Sequence, residues 1–212
     1  MDSLILQQEI VAKAANAIAW VSHISPKLQL LNTQLQQNAL DTIVSCFLAG
    51  QKLARNEPTV LPLLSEQLYL LGGICTAAGY MGEKNETLTH NRLCDHLHLL
   101  HTDQNTSENL DIVRSVSLPV YCRLIKEGRT HVATLLQSML HIIAWRSSSP
   151  WAREQAQRML WMGGVFGKGG IDELVAFDLR VVEKGPLSLP LYSLLLMTAF
   201  LAQFPAGPIF TD

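Results

Sequence analysis

The 212 residues suffice to bury one substantial core, and a single helical domain over 1–212 is the expectation. Apolar residues make up 48% and charged residues only 16%, while aromatics at 7% leave Leu, Ala, Ile and Val to supply the apolar mass, a balance that favours packed helices. A formal net charge of −2 gives no electrostatic footprint for nucleic acid or anionic lipid.

Met1-Asp2-Ser3 carries no basic segment and Glu9 follows early, which argues against a secretory signal. Val11, Ala14, Ile18 and Val21 recur at helical spacing, and Pro26 stops that helix. Leu40, Ile43, Val44, Phe47 and Leu48 mark a second helix. A third is expected over 61–81, where Gly72, Gly73 and Gly79 permit close backbone approach. Leu93, Leu97 and Leu100 mark a fourth, and the polar stretch Thr102 to Asn109 is expected to be an exposed loop. A fifth is expected over 111–127, kinked or divided at Pro119. Further helices are expected near 130–145, 150–162, 170–184 and 190–204, with Pro150 starting one after Ser147-Ser148-Ser149. The segment Leu187 to Phe204 is uncharged and long enough to approach a membrane span. Its flanking prolines favour a buried core helix instead. No period-two strand pattern appears, so the fold class is all-α, a multi-helix bundle.

Cys46, Cys75, Cys94 and Cys122 form no C-x-x-C pair, which suits reduced thiols in a cytoplasmic protein. The run from Gly163 to Gly170 lacks the spacing and the Ser or Thr of a phosphate loop, and reads as a turn between helices. His90, Cys94, His98 and His101 share one helical stripe beside Leu93 and Leu97. Imidazole and thiolate groups so spaced could jointly hold zinc. The alternative is a half-exposed polar flank with Cys94 packed as a small apolar residue. Ser45, Ser65 and Ser138 are expected to lie in apolar helices and to bond the backbone one turn earlier. His131 and His141 are expected to be packing histidines.

Several stretches share an order with a known family. Ser25-Pro26-Lys27 with Leu30-Leu31-Asn32 matches an S-P-K-P-G-L-V-D segment, with Leu28 and Gln29 in place of the second Pro and the Gly. Pro62-Leu63-Leu64-Ser65-Glu66 stands where N-T-H-K-G is expected. Gly72 to Gly79 matches the glycine-containing helix that follows. Trp145 to Pro150 stands for G-D-T-N and R-G-G, and Leu187 to Ser193 for L-S-P-G-G-S-A. The chain thus resembles the triphosphoribosyl-dephospho-CoA synthases, which make the prosthetic-group precursor for the acyl carriers of citrate lyase and malonate decarboxylase.

The resemblance implies ATP and dephospho-CoA as substrates and magnesium-ATP as the form used, if the transferase activity survives. It carries over Ser25 and Lys27 as substrate-binding residues and leaves no catalytic residue assigned. Joining the ribose of ATP to dephospho-CoA demands cations, backbone amides and metal-binding carboxylates for the triphosphate. Most of the motif residues that would supply them are replaced. The sequence therefore favours a catalytically silent relative that acts through a protein partner. The alternatives are a divergent active transferase and a metal-binding module built on the histidine stripe.

Overall fold

The computed structural model describes residues 3–31, 35, 37–100, 104–185 and 187–206, the side chains of 99 and 100 excepted. In α1 (Ser3–Ile24), the residues Leu6, Ile10, Ala14, Ala17, Val21 and Ile24 recur every three or four positions and are all buried. Pro26 converts the chain to two short 3₁₀ turns, Ser25–Lys27 and Gln29–Leu31. The next two helices, α2 (Ala39–Ala54) and α3 (Tyr69–Glu83), lie in the closest contact of the fold. A Cβ on Gly79 would sit 2.0 Å from the Phe47 carbonyl oxygen, and one on Gly50 would sit 1.9 Å from that of Thr76. The close approach expected of the α3 glycines is real at Gly79, and Gly50 answers it from α2.

The helix expected over 61–81 begins only at Tyr69. Pro58 and Pro62 interrupt the preceding segment, and Val60 and Leu63 are 92% and 98% exposed, so only Leu64 and Leu68 of its apolar residues reach the core. After α4 (His90–Leu100), the expected loop is helical from Gln104 onward, in α5 (Gln104–Ile112). Tertiary contact overrides polar composition there: Thr106 and Asn109 are buried, and the Thr106 hydroxyl bonds the Tyr69 hydroxyl at 3.0 Å. A π-turn, Val113–Ser117, joins α5 to α6 (Leu118–Lys126). The wider turn just before Pro119 accommodates the ring and its missing N–H without breaking the run.

Thr130 caps α7 (His131–Arg146), accepting from the Ala133 amide. Ser149 caps α8 (Pro150–Trp161), accepting from the Ala152 amide with Pro150 at the first helical position, as the sequence predicts. The glycine run is a turn between helices, with Gly163, Gly164 and Gly169 at positive φ. Beyond it come α9 (Gly170–Lys184) and α10 (Leu191–Leu201). Every residue of α10 is buried, and the helix contacts α1, α3, α6 and α7. Its Thr198 hydroxyl meets Ser117 of the π-turn at 2.6 Å. No described helix is long and apolar enough to cross a membrane, so α10 is the core helix of the bundle. One continuous core runs from Leu6 to Phe204, and among the described residues no strand occurs.

Candidate functional site

A cleft of about 800 Å³ opens at the start of α10. Gln29 and Leu30 of the second 3₁₀ turn form one wall. Leu64 and Glu66 with Tyr69 and Leu70 of α3 form another. Asn105 and Asn109 of α5 close a third side. Val182 and Gly185 at the end of α9, then Leu187 to Pro190, lead to Leu191 and Ser193 of α10. The stretches 29–30, 64–66 and 187–193, far apart in the chain, thus meet at one place.

A buried carboxylate fixes the first wall. Asp178 of α9, 2% exposed, accepts hydrogen bonds from the backbone amides of Gln29 at 2.7 Å and Leu30 at 2.9 Å. The turn closes on itself as well, since Leu28 and Leu31 amides donate to the carbonyls of Ser25 and Leu28. Gly72 of α3 leaves room for Leu64, whose methyl carbons would otherwise meet a Cβ at 2.7 Å. On the opposite side Ser148 donates to the Leu187 carbonyl at 3.2 Å, tying the start of α8 to the cleft connector. Ser188 in that connector takes a positive φ of 54°, a conformation that non-glycine residues rarely adopt.

The lining is mostly apolar, and Glu66 is the only charged residue among its described members. Glu66 is exposed and forms no ion pair among the described residues. Ser193 contributes to the lining with its hydroxyl buried and without a hydrogen-bond partner among the described residues. Lysines near in sequence are engaged elsewhere. Lys184 lies 4.9 Å over the Trp151 ring, and Lys27 sits 3.4 Å from His23 on the exposed side of its turn.

The residues singled out from sequence are dispersed. Ser25, 7% exposed, donates to the Leu31 carbonyl at 2.7 Å, bracing the turn from behind; neither it nor Lys27 lines the cleft. Cys94 is fully buried, and burial pushes its thiol up to about 12. His98 is exposed and pairs with the Ser107 hydroxyl at 3.2 Å. His90 has a buried, unpartnered Nδ1, and burial followed by the Arg114 charge lowers its pKa. His101 lies outside the described residues, and among those described no three His, Cys, Asp or Glu side chains come together as a metal site.

Ser45 does bond the Asp41 carbonyl one turn earlier, but the buried hydroxyls of Ser65 and Ser138 have no partner, contrary to expectation. His131 is a packing histidine: it stacks on Trp20 with centroids 3.7 Å apart and pairs through Nδ1 with the Tyr121 hydroxyl at 2.6 Å. All four cysteines are free. Asp178 escaped the sequence reading. Its one signal is position, an acidic residue on the buried face of α9 among Leu174, Phe177 and Val181.

No family model matches the chain, and no solved structure matches it. Sequence similarity to curated proteins defines the class first: the relatives are synthases named for a dephospho-coenzyme A product. The probable 2-(5''-triphosphoribosyl)-3'-dephosphocoenzyme-A synthase 1 of Salmonella choleraesuis is 30% identical over 176 residues, covering 77% of this chain and 58% of the relative. The 2-(5''-triphosphoribosyl)-3'-dephosphocoenzyme-A synthase of Klebsiella pneumoniae is 26% identical over 184 residues, covering 68% of this chain and 61% of the relative. That of Escherichia fergusonii reaches 34% identity over 111 residues, or 47% of this chain and 37% of the relative. The chain belongs to the triphosphoribosyl-dephospho-CoA synthase family and spans less than two thirds of the length of these relatives.

Proposed function

We propose that this chain is a divergent, catalytically silent family member that acts as an accessory protein through a protein partner. The observation that carries the reading is the charge of the cleft. Its described lining contains no lysine, arginine or histidine, and its single charge is the carboxylate of Glu66. A triphosphate is stabilised by cations, aimed backbone amides and magnesium held between carboxylates. Glu66 alone repels the unmetallated triphosphate and offers too few oxygens to seat a magnesium ion by itself. Leu189, Pro190 and Leu191 stand where the resemblance expects Pro-Gly-Gly, and Pro and Leu side chains keep a ligand from approaching the backbone closely.

The accessory role has support on the outer surface. Ile171, Val175 and Leu179 of α9 are each between 41% and 48% exposed and recur at helical spacing, forming an apolar stripe of the kind that partners cover. The partner would belong to the acyl-carrier maturation route of citrate lyase or malonate decarboxylase that the family serves. Calorimetric titration tests the silent reading, using magnesium-ATP and then dephospho-CoA. Flat titrations at millimolar ligand are expected. Magnesium-dependent ATP binding in the micromolar range, which requires about 8 kcal/mol of favourable interaction, would overturn it in favour of an active transferase.

A further inference from the structure

The cleft continues beyond its main hollow. A smaller one of about 140 Å³ shares Leu30, Glu66 and Leu189 to Leu191 with it and extends it to Gln67. On the α9 side Val182, 46% exposed, carries the apolar lining out toward Leu179 one helical turn away. Leu63, 98% exposed, stands next to the lining residue Leu64. The result is an open groove with apolar walls.

Three of its polar side chains, Gln29, Asn105 and Asn109, are carboxamides, and each offers both N–H donors and a C=O acceptor. Asn109 is only 7% exposed. It donates to Asn105 at 3.2 Å, and its own side-chain oxygen has no partner among the described residues. The Asn105 nitrogen and the Gln29 carboxamide, on another wall, are likewise unengaged among those residues. Thr106, on the same helix, donates to Tyr69 at 3.0 Å, which fixes α5 against α3 and so places the asparagine pair. Donors and acceptors are therefore mixed, and the one charge, on Glu66, is exposed to water. Such a lining selects neither a cation nor an anion. Its complement is a peptide backbone, in which every residue other than proline carries one N–H and one C=O, while alternate side chains of an extended chain turn to one side.

We infer that the groove docks an extended, uncharged peptide segment of the protein partner. Asn105, Asn109 and Gln29 hold its backbone, and Leu30, Leu64 and Leu191 receive its apolar side chains. The inference deepens the accessory reading and rests on it. Main-chain pairing supplies affinity, and the leucine-lined hollows supply the preference for apolar side chains.

The test uses the capped peptide acetyl-Ser-Leu-Ala-Leu-Ser-amide and the same peptide N-methylated at both leucines, titrated into the full chain by saturation-transfer NMR. The unmethylated peptide is expected to bind about 3- to 10-fold tighter, the scale of one or two net hydrogen bonds. Methylation also adds bulk, so the deciding quantity is how that ratio changes in variants. Asn105→Leu, at an exposed position, and Asn109→Leu, whose side chain bonds only Asn105 among the described residues, are each expected to bring the ratio within about twofold. Circular dichroism establishes that both variants fold. Isovaleramide, a single amide on an apolar skeleton, is expected to bind about tenfold more weakly than the peptide, since it offers one amide in place of several. A ratio near one in the parent protein, a ratio unchanged in both variants, isovaleramide binding as tight as the peptide, or no peptide binding at millimolar concentration overturns the inference. Magnesium-ATP titration separates the two readings. Tight ATP binding refutes the silent reading itself, while flat ATP titrations with no peptide preference refute only the docking groove.

Discussion

Replacing Asp178 by Ala removes the carboxylate that holds the 3₁₀ turn of the cleft against α9. Two backbone amides, Gln29 and Leu30, lose their acceptor at 2.7 and 2.9 Å. Hydrogen bonds to a charged group contribute about 1.5–3 kcal/mol each, and the lower end applies because water can partly replace the acceptor at this part-buried site. Two such bonds give a loss of about 3 kcal/mol for Asp178→Ala, and about half of that for Asp178→Asn, which restores one acceptor. In a chain of this size 3 kcal/mol corresponds to a fall in Tm of roughly 6–12 °C. Urea denaturation followed by circular dichroism measures the stability. Hydrogen exchange supplies the local readout: the Gln29 and Leu30 amides should exchange faster in Asp178→Ala, while α2 and α3 amides slow to exchange in the parent stay slow under native conditions. Unchanged protection of those two amides, or a stability loss below about 0.5 kcal/mol, the scatter of ordinary surface changes, would refute the assigned role.

Gly79→Ala drives a methyl group against the Phe47 carbonyl and should destabilise by about 3 kcal/mol, read from the urea midpoint, because backbone cannot move aside as a side-chain tip does. Stability should fall as the solution is acidified. Burial lowers the pKa of His90, His131 and His141 in the folded state, so the unfolded chain binds protons first. Their contribution is complete above the unfolded value near 6.5, is lost as pH falls from there through the folded values, and each histidine changes the slope by at most about 1.4 kcal/mol per pH unit. Denaturation midpoints that rise between pH 7 and 5.5 would contradict this. Zinc analysis of purified protein tests His90, Cys94, His98 and His101 together: the burial of Cys94 predicts substoichiometric metal, and a full equivalent lost in His98→Ala would establish the site.

What the sequence made legible followed from local chemistry. The start of α8 was readable because Ser149 and Pro150 act on neighbours within one turn. The close packing at Gly79 was readable because only glycine lets two backbones approach so closely. Misreadings arose where long-range contact decided the outcome. Gln104 to Asn109 looks like a loop by composition, yet Thr106 and Asn109 find buried places against α3 and the cleft. Leu61 to Leu68 looks like a helix by apolar content, yet the prolines leave that segment irregular. Most of the cleft was hidden for the same reason, since Asp178 meets its partners across 149 and 148 residues of chain.

The all-round burial of α10 has a consequence for biosynthesis. It is the last of the described helices to leave the ribosome, yet it is the one on which α1, α3, α6 and α7 converge. At about 5–20 residues per second, roughly 8–33 seconds separate the completion of α1 from the arrival of α10. Until α10 arrives, the inner faces of α1 and then, as each is made, of α3, α6 and α7 have no central helix to close on, and they are open to chaperones and to one another. The core is therefore completed only after α1, α3, α6 and α7 have been made, and the nascent chain, more than the finished fold, is the state most exposed to aggregation.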